Sequence, residues 1–233
     1  MALSNNQVKR AGKVARDWWM DPRLTLELTP EEIEAAEAAV NIVIEYRSYF
    51  SEPMLKVRMG LTSFVSTCGI EDAKLGQRLK RINRILAKLE RFNPKMQLTT
   101  MQDIGGVRVV VPSLDALREL ERHIRKRWGP GIRELYDYIA EPQDSGYRAV
   151  HIVVVRDGYP IEIQLRTERQ NTWAQLNEAL ARQAGAELKW GEGPGEMKAF
   201  LEYLGETFAI QDAGGVVDDE TRTRLRELAA QVQ

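Results

Sequence analysis

Residues 149–165 read AVHIVVVRDGYPIEIQL, two apolar-rich runs joined by Asp157-Gly158. No other stretch restricts the fold so tightly. Asp-Gly between such runs signals a two-residue hairpin turn, whose two central residues need left-handed backbone. The turn sets the register: Arg156 pairs with Tyr159, Val153 stands opposite Glu162, and His151 opposite Gln164. Side chains alternate across a strand, so Val150, Ile152, Val154, Ile161, Ile163 and Leu165 share one face, the core. His151, Glu162, Gln164 and Arg166 share the other, with His151 and Glu162 diagonal neighbours at roughly 7–8 Å. A plain solvent face would carry Thr, Ser or Lys. This collection, beside Tyr147 and Arg148, argues for a site.

The rest of the chain reads around that hairpin. Thr29 and Glu32 form a capping box with Pro30 at the first helical position, and Ile33, Ala36, Val40 and Ile44 follow at helical spacing. A helix is expected over 30–50. The arm before it, KRAGKVARDWWMDPRL, suits a short helix with Trp18 and Trp19 as packing anchors. A second helix is expected from Ala73 to Phe92, stopped by NPK. GVRVVVP is a buried strand whose Arg108 points away from Val107, Val109 and Val111. Ser113 caps a helix with Leu117, Leu120 and Ile124 inward, ended by GPG. RTERQNTWAQLNEALARQAG reads as a helix after the hairpin. WGEGPGE is a loop leading to helix through Phe208, and DAGGVVDDE precedes a last short helix. The order implies an α+β (mixed α/β) fold, a small, mostly antiparallel sheet flanked by helices. An arm over 1–29, a domain over 30–208 and a helical tail over 209–233 are the expected divisions.

Charge narrows the chemistry. The net charge of −1 hides an asymmetry: Lys74 to Arg133 holds fifteen Lys/Arg against five Asp/Glu, whereas Glu187 onward holds five against ten. A basic middle suits an anionic partner or a solvated surface. In LGQRLKRINRILAKLER, taken as one helix at about 100° per residue, Lys80, Arg84, Lys88 and Arg91 fall within about 80° of one another. Leu75, Leu79, Ile82, Leu86 and Leu89 lie opposite. Glu90 is the only acidic residue of the stretch, which favours a polyphosphate or nucleic-acid face over a solvated one. Asp103 precedes two glycines at the entry to the buried strand. Carboxylates on a sheet near a basic helix suit Mg²⁺-nucleotide chemistry: hard oxygens hold the metal and Lys/Arg take phosphate oxygens. With one cysteine, Cys68, no disulfide framework is expected, and two histidines exclude a His-rich metal centre. No apolar run approaches the ~20 residues of a membrane span, and the start has no signal-like segment. A cytoplasmic protein is expected.

RLKRINRILAKLER, MQDIGGVRVVV, DSGYRAVH and IEIQLRT, in this order and spacing, resemble the synthetase domain of RelA/SpoT homologues, specifically its small single-domain members. The resemblance spans residues 40 to 185 and implies a nucleotidyltransferase-like domain. Such enzymes move the β,γ-pyrophosphate of ATP to a ribose 3′-hydroxyl, usually of GDP or GTP, to give (p)ppGpp; a toxic branch modifies the 3′-terminal adenosine of tRNA. The resemblance implies that Arg78 and Arg108 sandwich the ATP adenine, and that Lys88 and Arg91, with Lys80 nearby, grip its phosphates. It implies Asp103 as Mg²⁺ ligand, Glu162 as second metal carboxylate and activator of the 3′-hydroxyl, and His151 beside them. It implies Tyr147 stacking on the acceptor base, with Gln164, Arg166 and Asn171 toward the acceptor.

The chain departs from the family at two positions: Arg84 stands where Ser is frequent, and Gln143 where many alarmone makers carry Lys. RHIRKRW adds Arg122, Arg125, Lys126 and Arg127, ending at Trp128, a cluster of the sort that grips a nucleic-acid backbone. The expected function is thus pyrophosphate transfer from ATP to the tRNA 3′ end by a translation-inhibiting toxin. An antitoxin protein is the expected partner, with neither DNA nor membrane involved. The alternatives are a small alarmone synthetase using GDP or GTP, and a non-catalytic nucleotide or RNA sensor. Retention of both Asp103 and Glu162 argues against the sensor.

Overall fold

The hairpin stands where its turn signal puts it. In the computed structural model, which describes residues 3–21, 28–185, 188 and 192–232, β4 (Val150–Arg156) and β5 (Tyr159–Thr167) flank Asp157 and Gly158. Both turn residues have positive φ, 54° and 83°. The six expected core side chains are all buried, Val154 being the most open at 3%.

Three further strands complete one sheet in the order β1-β2-β5-β4-β3. β2 (Gly105–Val111) buries Val107, Val109 and Val111 and exposes Arg108, as alternation demands. β1 (Lys74–Leu79) and β3 (Ile132–Asp137) are the edges. β1 corrects the helix expected from Ala73. Leu75, Leu79 and Ile82 match helical spacing, but β2 offers an open edge, and pairing with it overrides local pattern. The helix α4 begins only at Ile82 and runs to Arg91, after Arg81 in extended backbone. Lys80 therefore precedes the helix, and its N–H donates to the Ile104 carbonyl at 2.8 Å. The single basic stripe is thus two pieces, a strand end and a short helix.

The remaining helices are α1 (Asn5–Trp19), α2 (Pro30–Ser48), α3 (Ser51–Thr67), α5 (Leu114–Trp128), α6 (Glu168–Ala184), α7 (Gly195–Asp212) and α8 (Asp219–Gln231). α2 carries the Thr29/Glu32 capping box. α5 starts on Ser113, whose hydroxyl accepts from the Ala116 N–H, and buries Leu117, Leu120 and Ile124. α6 has its own box, Thr167 with Gln170, and ends at left-handed Gly185. Trp190 and Gly191 of the expected WGEGPGE loop lie outside the described residues. Among the described residues no helix is long and apolar enough to cross a membrane.

The chain divides into two compact units. The first comprises Met1–Met59, Gln77–Val107 and Val153–Glu162. There α1 packs on α2 and α4, and Phe50, Ile85, Leu86, Leu98, Ile104 and Ile161 fill the interior. Trp18 is half-buried, whereas the other expected anchor, Trp19, is 48% exposed. The second unit comprises Gly60–Gly76, Arg108–Ile152 and Ile163–Gln233. Its apolar cluster joins Tyr147, Trp173, Phe200, Leu201, Leu204 and Leu228.

Candidate active site

In the first unit the chemistry gathers on Asp103. The turn into β2 presents its carboxylate to the strand end at Lys80 and to α4 at Lys88. Both ammonium groups donate to the same oxygen, Oδ2, at 2.9 and 2.8 Å. Burial pushes the Asp103 carboxyl up, but the Lys80 and Lys88 charges outweigh it and hold the group below the usual carboxylate range. Its other oxygen, Oδ1, is buried without a hydrogen bond. Arg47 of α2 donates to the carbonyls of Lys80 (2.6 Å) and Leu79 (3.4 Å), fixing the backbone from which Lys80 reaches out. A Cβ at Gly106 would lie 3.8 Å from the Glu162 carbonyl and 3.9 Å from that of Arg78, which brings β5 and β1 to either side of β2 there. Arg78, Arg84 and Arg91 are exposed, and Glu162 is half-buried.

This donor set fits a hard divalent cation. A buried carboxylate oxygen lacking a partner, in a unit that also carries Glu162, suits Mg²⁺ better than a soft metal. Among the described residues no three His, Cys, Asp or Glu gather into a complete protein cage. Such an ion would take its other ligands from water and phosphate, as Mg²⁺ usually does.

In the second unit the centre is Tyr147. Its hydroxyl accepts from Arg166 at 2.8 Å and lies 2.6 Å from Nε2 of His151. The Arg166 guanidinium also stands over the ring, 5.4 Å from its centroid, and donates to Gln164 Oε1 at 3.0 Å. Trp173 meets the ring edge-on at 5.5 Å. Tyr147 is consequently only 3% exposed. As placed, it is a hub that orders His151 and Arg166, and its ring offers no open face to a base. His151 has its Nε2 engaged by that hydroxyl, a positioning arrangement rather than that of a free base. Asn171 stands in the first turn of α6 with Oδ1 buried and without a hydrogen bond, as are Gln143 Oε1 and Ser145 Oγ in the loop before Tyr147. Arg108 is exposed on β2.

The cations of α5 are divided. Arg122 pairs with Glu119 at 2.6 Å and Arg125 with Glu121 at 3.4 Å, whereas Lys126 and Arg127 are simply exposed. Trp128 is no outward platform. It tilts against Phe64 at 4.7 Å, and Gly60 leaves room for it, since a Cβ there would come within 2.5 Å of its ring. Cys68 borders a cavity of about 490 Å³ with Asp72, Asp115, Glu119 and Arg122, none of them in either cluster except the exposed Arg122 of the α5 cations. Burial pushes the Cys68 thiol up, the direction opposite to that of an activated nucleophile.

Sequence reasoning missed Arg47, which reads as an ordinary basic residue ending a helix. It also missed β3, and with it Glu134, Tyr136 and Tyr138. Period-2 alternation of IRELYD was the available signal, weakened by its charged residues.

Comparison with known proteins follows the same motifs. The family described as "Region found in RelA / SpoT proteins" matches residues 77–183. An uncharacterized protein of Mycobacterium tuberculosis is 33% identical over 223 residues, covering 93% of this chain and 71% of that one. The GTP pyrophosphokinase YjbM of Bacillus subtilis is 34% identical over 115 residues, 44% of this chain and 53% of the relative. Among solved structures, small alarmone synthetase 1 of Bacillus subtilis, bound to its product pppGpp, aligns with a TM-score of 0.62 at 24% identity, over 73% of this chain and 94% of that one. A GTP pyrophosphokinase family protein of Streptococcus pneumoniae gives 0.56 at 27% identity, over 79% and 96%. The chain shares its fold with these synthetases and belongs to the RelA/SpoT family as a pyrophosphokinase of that type.

Proposed function

We propose that the chain transfers the β,γ-pyrophosphate of ATP, with Mg²⁺, to the ribose 3′-hydroxyl of a free guanine nucleotide, GDP or GTP. The carrying observation is the Asp103 cluster, where two lysines converge on one carboxylate oxygen and leave the other unpartnered. Bound Mg²⁺ would neutralise phosphate charge from Asp103 and Glu162. Lys80, Lys88 and Arg91 would take phosphate oxygens, with Arg78 and Arg108 at the adenine. The acceptor O3′ forms a bond to the β-phosphorus, the bond from that phosphorus to the α–β bridging oxygen breaks, and AMP leaves. The hydroxyl proton passes to Glu162. Two polyanions must be aligned, so charge neutralisation and positioning carry most of the rate.

The guanine acceptor is supported by the names of the relatives, by the inward packing of Trp128, and by the pairing of Arg122 and Arg125. A second reading, in which the tRNA 3′ end is the acceptor and the chain a toxin held by an antitoxin, is favoured by Gln143 in place of a cation and by exposed Lys126 and Arg127.

Incubation with γ-labelled ATP and Mg²⁺, beside GDP, GTP and tRNA separately, tests both. Label is expected in (p)ppGpp, and Glu162→Gln is expected to lower the rate ~10²-fold or more. Label in tRNA alone reverses the acceptor. Full turnover by the Glu162 variant removes it from the mechanism.

A further inference from the structure

The last residue of α7 is locally unfavourable. Asp212 closes that helix, where the macrodipole is negative, and the last turn holds no basic residue to offset it. Its side chain is nonetheless only 3% exposed. The reason is tertiary. Oδ2 accepts from the Thr167 hydroxyl at 2.6 Å, and Oδ1 from Arg169 Nη1 at 3.1 Å. Arg169 Nε also donates to Gln211 Oε1 at 3.2 Å. Thr167 is the N-cap of α6, and its hydroxyl accepts in turn from the Gln170 N–H at 3.2 Å. A hydroxyl has one proton and two lone pairs. Giving the proton to Asp212 turns the lone pairs toward the helix, so the carboxylate sets the rotor on which the cap depends.

We propose that Asp212 is a positioning residue for the acceptor: its carboxylate fixes the Thr167 cap, and with it Arg166 at the end of β5 and Asn171 in the first turn of α6. This rests on the reading of those two side chains as the acceptor's contacts. Arg166 directly precedes Thr167 and Asn171 follows it by one helical turn, so neither keeps its place if the cap rotates. Both have capacity left for a ligand, since Arg166 Nε and Asn171 Oδ1 are buried without hydrogen bonds. Charge supports the assignment. A buried carboxylate needs its partners, and Arg169, 45% exposed, supplies the opposite charge. Helix α7 delivers the group accurately because it is held elsewhere along the same side. Leu201, Gly205 and Asp212 fall within about 40° of one another at 100° per residue, a stripe of roughly 16 Å. The Leu201 carbonyl takes the Trp173 indole N–H, and Gly205 abuts Gly146.

Amide exchange and steady-state kinetics on the full chain test it. In Asp212→Ala the Thr167 and Gln170 amides, both held by the capping box, should exchange faster by up to ~30-fold, the upper worth of a helix cap, while those of α4 keep their rates. The kcat/KM for GDP should fall ~10- to 100-fold, the cost of a slight misplacement, while KM for ATP stays within ~2-fold. Asp212→Asn keeps an oxygen for the Thr167 hydroxyl and should retain more of both, and it replaces the alanine variant if that one does not fold. The proposal is overturned if exchange at Thr167 and Gln170 is unaltered, if both substrates weaken together, or if both variants turn over GDP as wild type does. Failure of the acceptor reading is distinct: wild type then labels no GDP, and the exchange measurement, which needs no acceptor, still decides what Asp212 holds.

Discussion

Asp103 carries two opposed influences, and their balance can be measured. Burial alone would raise its carboxyl, and the two ammonium groups reverse the sign. Lys88→Met keeps the stem and burial but removes one charge, so the Asp103 carboxyl should titrate at higher pH in that variant, read by carboxyl NMR. The linked stability follows. A group whose folded value is depressed stabilises the native state above its unfolded value, and that contribution fades as pH falls through the folded one. The stability advantage of wild type over Lys88→Met should therefore be full above the ordinary carboxylate range and shrink as pH falls below it. An unchanged titration in the variant would show that Lys88 does not hold the carboxylate in solution.

Helix α7 lies against the loop that presents Tyr147. Gly205 comes so close that a Cβ there would sit 2.4 Å from the Gly146 carbonyl oxygen, and Gly146 itself has φ +83°. The Trp173 indole also donates to the Leu201 carbonyl at 2.6 Å. Gly205→Ala must push helix or loop aside, at roughly 1–3 kcal/mol. Its melting temperature should fall, and KM for the acceptor should rise while that for ATP holds. Equal loss of both would make α7 a general prop. None of this could be read from MKAFLEYLGETF, because a helical glycine looks like a weak helix residue until its neighbour is known. The hairpin was legible because a turn with two left-handed residues fixes register locally. β1 was not, since Leu75 and Leu79 fit either period and only the open edge of β2 decides. β3 was hidden likewise: its Tyr136 and Glu134 look like surface residues until Asp137 is seen holding Arg118 on the opposite side. The Asp103 site was legible by resemblance, but Arg47, thirty-three residues before Lys80, was not.

Across the whole chain the charge is sorted by segment, fifteen bases against five acids in the middle and ten acids against five bases at the end. That sorting bears on the rival acceptors through salt. Replacing Arg125, Lys126 and Arg127 by Glu should leave (p)ppGpp formation near the wild-type rate if the acceptor is a free nucleotide. A tRNA substrate would be lost in that variant, and its wild-type binding would weaken steeply with salt as phosphate contacts release counterions. Labelling rates at low and moderate ionic strength decide between them. The clamp on Asp103 has a consequence for the entropy of binding. Lys80 and Lys88 are each about three-quarters covered and tied to a single oxygen before any nucleotide arrives. A lysine stilled by a ligand forfeits up to ~2 kcal/mol of rotamer entropy. Here that loss falls in folding, so an incoming polyphosphate exchanges one anionic partner for another at side chains that are already rigid.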